Sequence, residues 1–311
     1  MRWFAVFVSA ACFSLGAAFT SQPASAEPLA QGPKVCAECH KSEAQIWDGT
    51  KHAASFKEVH KSPKAKEIVA AVGGEKNMKK NEVCTQCHYT LVGADKKAEA
   101  GPSCESCHGA SSDWFKLHND YGGPTVKREA EAPEHKSDRL AKAAAAGMLW
   151  PHDRYGIAEN CTECHGLANP KVPADALAKM LDAGHPAIAE WEMVQYSQGS
   201  IRHRFYPPNM TENAKMTAPE LARLFVTGQA AKLTSAAGAV AKVDSPKYKE
   251  FQEKRIALAK EVLSKVTSVP EAKALIDNPS TENARKLVGA IADKDLSGEV
   301  GGLLPAEGTY K

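Results

Sequence analysis

Apolar positions along this chain follow three patterns. Arg2 precedes an apolar run from Trp3 to Phe19, and Ala24-Ser25-Ala26 then supplies small residues. That order is the pattern of a secretory signal peptide over residues 1–26, with cleavage after Ala26 and export to the periplasm. The run is shorter than the ~20 residues of a membrane span, so no span is expected after cleavage. Cys12 leaves with the leader, because Ser9-Ala10-Ala11 does not form a lipobox.

Further on, the apolar residues take a helical period. Ser42 and Gln45 form a capping box that opens a helix carrying Ile46, Trp47, His52, Phe56 and His60, with a stop near Lys61-Ser62-Pro63. Thr217-Ala-Pro-Glu220 opens a second, with Leu221, Leu224 and Phe225 on one side. A third follows Ser245-Pro246, with Ile256, Ala259, Leu263 and Val266 at three- and four-residue steps, ending near Pro270. A fourth begins at Ser280 or Thr281 and carries Leu287, Ile291 and Leu296. Residues 301–311 read as a loose tail. The chain divides into a leader (1–26), a main domain (27–211) and a C-terminal helical extension (212–311), mainly α with little regular β structure.

Composition adds one anomaly. The 311 residues are 43% apolar and 24% charged, with 39 basic against 37 acidic side chains, as in an ordinary soluble protein. That balance, without a block of like charge, argues against nucleic acid as a partner. Aromatic residues are only 7% of the chain, while cysteines number nine and histidines 11. A core of side chains alone would be thin.

The eight cysteines after the leader fall into four C-x-x-C-H motifs: Cys36/Cys39/His40, Cys84/Cys87/His88, Cys104/Cys107/His108 and Cys161/Cys164/His165. Each is the attachment pattern of a c-type haem. Two thiols one helical turn apart reach the two vinyl groups of one porphyrin, and the next imidazole meets the iron. Disulfide frameworks do not place a histidine after every pair, and a redox C-x-x-C would occur once. Four covalently bound c-type haems are expected, and the porphyrins would supply the missing core.

Seven histidines remain: His52, His60, His118, His135, His152, His185 and His203. Their ligation decides the chemistry, because two axial imidazoles make an electron carrier, whereas an open position binds small molecules. His52 shares a helix face with Phe56, suited to packing on a porphyrin. His118 lies close enough to His108 to fold back onto a neighbouring haem. His60 and His135 read as surface residues, and His152 as a loop residue beside Trp150.

The residues resemble the tetrahaem cytochrome c-554 family. The resemblance rests on Cys36 to His40 followed by Trp47 and His52, on Cys104 to His108-Gly109 followed by His118, and on the motifs between and after them. Glu190-Trp-Glu-Met193 leading to His203 and Tyr206 looks like the family's last ligand helix. The similarity covers roughly residues 34–206. It implies a multihaem cytochrome c fold with a haem-packed core, haems stacked in close pairs, and His52, His118 and His203 as distal ligands. In that family the second haem, here on His88, can lack a sixth ligand. Gly184-His185-Pro186 departs from the pattern and looks like a ligand loop of related multihaem cytochromes, which would make His185 the sixth ligand to the His88 haem. The residues after Tyr206 have no counterpart in the family core.

The expected function is transfer of single electrons between a quinol-linked or dehydrogenase donor and a periplasmic oxidoreductase. The expected partners are a membrane quinol-oxidising cytochrome or a periplasmic reductase or dehydrogenase. Without methionine ligation, low potentials are expected. One alternative is an enzyme with an open His88 haem acting on nitric oxide or hydroxylamine, with His152 or Tyr155 supplying protons. Another is a dedicated subunit whose C-terminal helices bind one reductase.

Overall fold

The computed structural model describes residues 1, 27–207 and 209–311. The expected leader, with Arg2, Cys12 and the cleavage point at Ala26, lies outside the described residues. The fold is mainly helical, with one two-stranded sheet among the described residues. None of the described helices is long and apolar enough to cross a membrane.

The N-terminal half is built from short helices. They are α1 (Pro33–Ala37), α2 (Lys41–Asp48), α3 (Lys51–Glu58), α4 (Ala65–Val72) and α5 (Glu82–His88). The antiparallel strands β1 (Thr90–Val92) and β2 (Lys97–Ala100) follow, then α6 (Cys104–His108) and α7 (Pro133–Ala145). The single helix expected after Ser42 is instead two. Gly49 closes α2, and Thr50 begins α3 by accepting the Ala53 N–H on its side chain. His60 falls in a separate 3-10 turn, Val59–Lys61, and is exposed.

The C-terminal half holds longer helices. They are α8 (Arg154–His165), α9 (Ala174–Asp182), α10 (Met193–Ser197), α11 (Ala218–Val240), α12 (Pro246–Leu263), α13 (Pro270–Asp277), α14 (Thr281–Ala290) and α15 (Ser297–Val300). The capping box at Thr217 and Glu220 opens α11, and Ser245 and Ser280 cap α12 and α14. Helix α11 is buried on every side, at Ala222, Phe225, Gln229, Leu233 and Ala236 among others, so it forms the axis of this half. Its neighbours are α8, α10, α12 and α14. One apolar core joins Tyr155 and Ala158 of α8 and Trp191 and Val194 near α10 to Leu233, Leu263, Leu275 and Leu287. The extension therefore packs directly on the helix that carries the fourth C-x-x-C-H motif.

Residues 301–311, expected to be loose, are docked. The Lys311 N–H donates to Gln195 O at 2.9 Å, and the Ser200 N–H donates to Lys311 O at 2.8 Å. The sequence there is glycine-rich, and the anchoring combines backbone hydrogen bonds, which leave no sequence pattern, with Leu304 and Tyr310 packed on the apolar core.

Candidate haem centres

In three of the four motifs, the histidine ends a helix. His88 closes α5, His108 closes α6 and His165 closes α8. In the first, Cys36 lies in α1, while His40 is the N-cap of α2. The two cysteines of each motif thus lie one turn apart, as attachment of one porphyrin requires. All eight are free thiols in the described chain.

Burial differs among the attachment cysteines, and Cys39 stands apart. It is exposed, whereas the other seven are buried or half-buried. The reason is local: α1 stops at Ala37, so Cys39 falls in the turn between α1 and α2 and not inside a helix packed on the core. The Cys39 N–H still donates to Cys36 O at 3.2 Å, which keeps the pair one turn apart. His40, next in the chain, is also exposed. The first motif therefore lies at the surface, and a group attached there would keep one edge in solvent.

Each motif histidine faces one of the remaining histidines. Ring centroids are 6.3 Å apart for His40 and His118, 6.0 Å for His165 and His52, 5.9 Å for His88 and His185, and 6.2 Å for His108 and His203. A metal about 2 Å from each of two imidazole nitrogens on opposite sides separates ring centroids by roughly 6 Å. The partners come from remote places: His52 from α3, His118 from the turns after α6, His185 from the loop after α9. His203 lies in an irregular segment beyond the short α10, so the expected ligand helix is a helical turn followed by extended chain.

Hydrogen bonds fix which ring nitrogen of several imidazoles is free. His108 Nδ1 lies 2.8 Å from Leu149 O, His118 Nδ1 2.6 Å from Phe115 O, His185 Nδ1 2.8 Å from Pro186 O, and His203 Nδ1 2.6 Å from Ile201 O. A carbonyl only accepts, so Nδ1 carries the proton and Nε2 is left as the donor to a metal. Burial, reinforced by neighbouring imidazoles, pushes both His88 and His165 down to about 4. Both are neutral at pH 7, the form that ligates.

Side chains between the motifs hold this arrangement. The buried Glu105 carboxylate accepts N–H bonds from Gln31 (2.9 Å), Gly32 (2.7 Å) and Ser111 (2.9 Å), which joins the approach to the first motif to the third. Thr90 Oγ1 accepts from the Ser103 N–H and meets the Ser103 and Ser106 hydroxyls, linking the second motif to the third. Asn160 donates to Ser106 O at 2.7 Å, tying α8 to α6. Trp47 Nε1 donates to Pro102 O at 2.8 Å, and a Cβ on Gly101 would stand 2.1 Å from His52 O. Only glycine lets α3 approach closely enough to bring His52 to His165.

The motifs also touch one another through their cysteines. The neighbouring Cys104, together with burial, pushes the Cys36 thiol up, and Cys104 is lowered in turn. Cys164 stands in the same relation to Cys87. Cys161 is raised chiefly by burial and also by the neighbouring Cys107. The first motif therefore adjoins the third, the third the fourth, and the fourth the second.

Other residues singled out above lie elsewhere. His135 Nδ1 is 2.9 Å from Glu131, and exposed His152 stacks on Trp150 at 6.0 Å. Tyr155 is buried, with its hydroxyl 3.1 Å from Thr234 and Glu159, so it points into the helical core and not towards His88.

Several buried hydrogen-bond donors have no partner among the described residues, and two of them sit on rings beside an imidazole pair. Tyr89 OH follows His88. Trp114 Nε1 belongs to a ring 5.2 Å from His118, and Trp191 Nε1 to a ring stacked 4.9 Å from His165. Arg202 Nε and Arg204 Nε flank His203. An orphaned buried donor costs about 1–3 kcal/mol. At Trp114 and Trp191 a ligand that carries acceptors, as haem does in its two carboxylates, would satisfy the donor. Thiol pairs, trans imidazoles and orphaned donors together fit c-type haem. The sequence pointed to the cysteines and histidines and to Trp191 only as part of the Glu190–Met193 segment; Trp114 and Glu105 carry no spacing signal.

Residues 35–109 match the family model described as "Cytochrome c554 and c-prime". Over these residues the chain is similar to the cytochrome c554 family. A relative named cytochrome c-554, from Nitrosomonas europaea, is 29% identical over 168 residues, 51% of this chain and 65% of the relative. The chain thus spans less than two thirds of that relative. No solved structure matches the chain.

Proposed function

We propose that this protein is a tetrahaem c-type cytochrome that carries single electrons. Its axial pairs would be His40/His118, His88/His185, His108/His203 and His165/His52. The observation that carries the reading is the spacing of those pairs, 5.9–6.3 Å between ring centroids. The haems supply one-electron iron chemistry when bound.

The chain does the rest. Cys36/Cys39, Cys84/Cys87, Cys104/Cys107 and Cys161/Cys164 anchor by thioethers, and backbone carbonyls orient the imidazoles. Haems held between such paired neutral imidazoles would have no open position for a small-molecule substrate. The His185 ring at His88 therefore favours a carrier over an enzyme with an open centre. Thiol neighbours support a continuous order of centres, first to third to fourth to second. Exposed Cys39 and His40 put the first centre of that order at the surface, where a redox partner can reach it.

The leader pattern in residues 1–26 supports export to the periplasm. There the partners would be a quinol-linked or dehydrogenase donor and a soluble oxidoreductase. The test is electron paramagnetic resonance of the oxidised mature protein, with iron quantified per chain. Four irons, all low-spin ferric, are expected; a high-spin ferric signal overturns the ligand set.

A further inference from the structure

Helix α12 turns one face towards the backbone just past the fourth motif. Tyr248 OH donates to Leu167 O at 2.7 Å, Gln252 Nε2 to Gly166 O at 3.0 Å, and Arg255 Nη1 to Gly166 O at 3.2 Å. Gly166 immediately follows His165. These donors sit at i, i+4 and i+7, a single helical stripe, and all three side chains are at most 2% exposed. A Cβ on Gly166 would stand 2.2 Å from Arg255 Nη2, so the guanidinium fills the space a side chain would need.

Arg255 is also unusual electrostatically. Its other partners are neutral: Gln252 Oε1 at 2.6 Å and Ser235 Oγ at 2.7 Å. Among the described residues, it makes no ion pair with a carboxylate. A buried charge that no protein carboxylate neutralises acts through a low local dielectric, where its field reaches further than at the surface. The carbonyl Arg255 contacts belongs to the residue that follows His165, on whose imidazole Trp191 stacks, and the buried Lys232 adds a second cation nearby.

We propose that Arg255, from the C-terminal extension, is a positioning residue that raises the reduction potential of the His165/His52 centre. The inference rests on the bis-imidazole reading above. Reduction adds one electron and lowers the charge of that centre by one. A fixed buried cation beside it therefore favours the reduced state and makes this centre an electron sink among the four. The gradient would be set by helices that contain no haem ligand.

The test is a spectroelectrochemical titration of the whole holoprotein with mediators, the electrode supplying the electron. Arg255→Gln keeps a donor for Gly166 O but removes the charge. It should lower one of four midpoint potentials by about 59 mV, a tenfold change in the oxidised-to-reduced ratio for one electron. Arg255→Lys keeps the charge and should hold the potential near its original value. Ser235→Asp leaves Arg255 in place but sets a carboxylate against it, and should give the same fall even if Arg255→Gln does not fold. Low-spin signals recorded on every variant separate the two ideas. If four low-spin centres persist and no potential moves, or if all four move together, the Arg255 proposal is wrong. If the wild-type protein lacks four low-spin centres, the bis-imidazole reading fails instead.

Discussion

His88 and His185 face each other at 5.9 Å, with ring planes inclined by 43°. Their approach depends on the loop after α9, where the His185 N–H donates to Met180 O and Pro186 O accepts from His185 Nδ1. His185→Ala removes an imidazole without touching a helix. We expect one centre in four to become high-spin ferric and able to take up a small ligand such as imidazole, with the other three unchanged. Spin quantification before and after imidazole addition reads this directly. An unchanged low-spin signal would mean that another side chain completes the site.

Glu105 predicts a stability effect. It occupies a variable position inside a C-x-x-C-H motif, yet it is buried and accepts from three backbone N–H groups. Glu105→Ala leaves those donors without partners, at about 3–5 kcal/mol in total. Glu105→Gln retains one acceptor and should cost about half as much. Chemical denaturation of the holoprotein measures both. Equal losses for the two variants would show that charge, and not the count of acceptors, holds the segment.

The sequence and the structure agree where chemistry demands contiguity. Cys36 to His40 and its three counterparts are legible because one porphyrin needs two thiols and an imidazole at fixed spacing. Burial is not legible in the same way: the motif reads identically whether its second cysteine is exposed, as Cys39 is, or half-buried, as Cys87 is. The opposing partners are less legible still. Nothing local distinguishes His52, which meets His165, from His60, which lies on the same nominal helix, until α3 ends at Glu58 and the chain tightens into the 3-10 turn that leaves His60 exposed. The C-terminal helices announce themselves through Thr217, Ser245 and Ser280. Their purpose does not, because Tyr248 and Arg255 act on carbonyls, and any backbone offers those.

Gly101 links packing to ligation. Its missing Cβ lets His52 O approach, and a methyl group placed there would stand 2.1 Å from that oxygen and 2.7 Å from Ser55 Oγ. Gly101→Ala must displace α3, and His52 with it, away from His165. The expected outcome is a selective loss of low-spin character at one centre, with the protein still folded by circular dichroism. Gly238→Ala is the control, because nothing lies within 4 Å of a Cβ there. Retention of all low-spin signal in Gly101→Ala would show that α3 yields without moving its imidazole.

An acid-dependent effect follows from Glu131. Its carboxylate is 1% exposed and pairs with Arg139 at 2.7 Å, while Arg139 Nη1 donates to His118 O at 2.6 Å. The Arg139 hydrogen bonds, aided by His135, hold Glu131 near pKa 2, against 4.5 for the free group. A carboxyl lowered on folding contributes stability that is fully present above the unfolded value and disappears as pH falls through the folded one. The contribution should thus be constant from pH 7 to about 5 and vanish between about 4.5 and 2. Melting midpoints of the native protein and Glu131→Gln, taken across that range, should differ at neutral pH and converge in acid. A gap that stays constant down to pH 2.5 would falsify the assignment. It would mean that Arg139 is held by packing against Tyr121, 5.0 Å from its guanidinium, and not by the carboxylate.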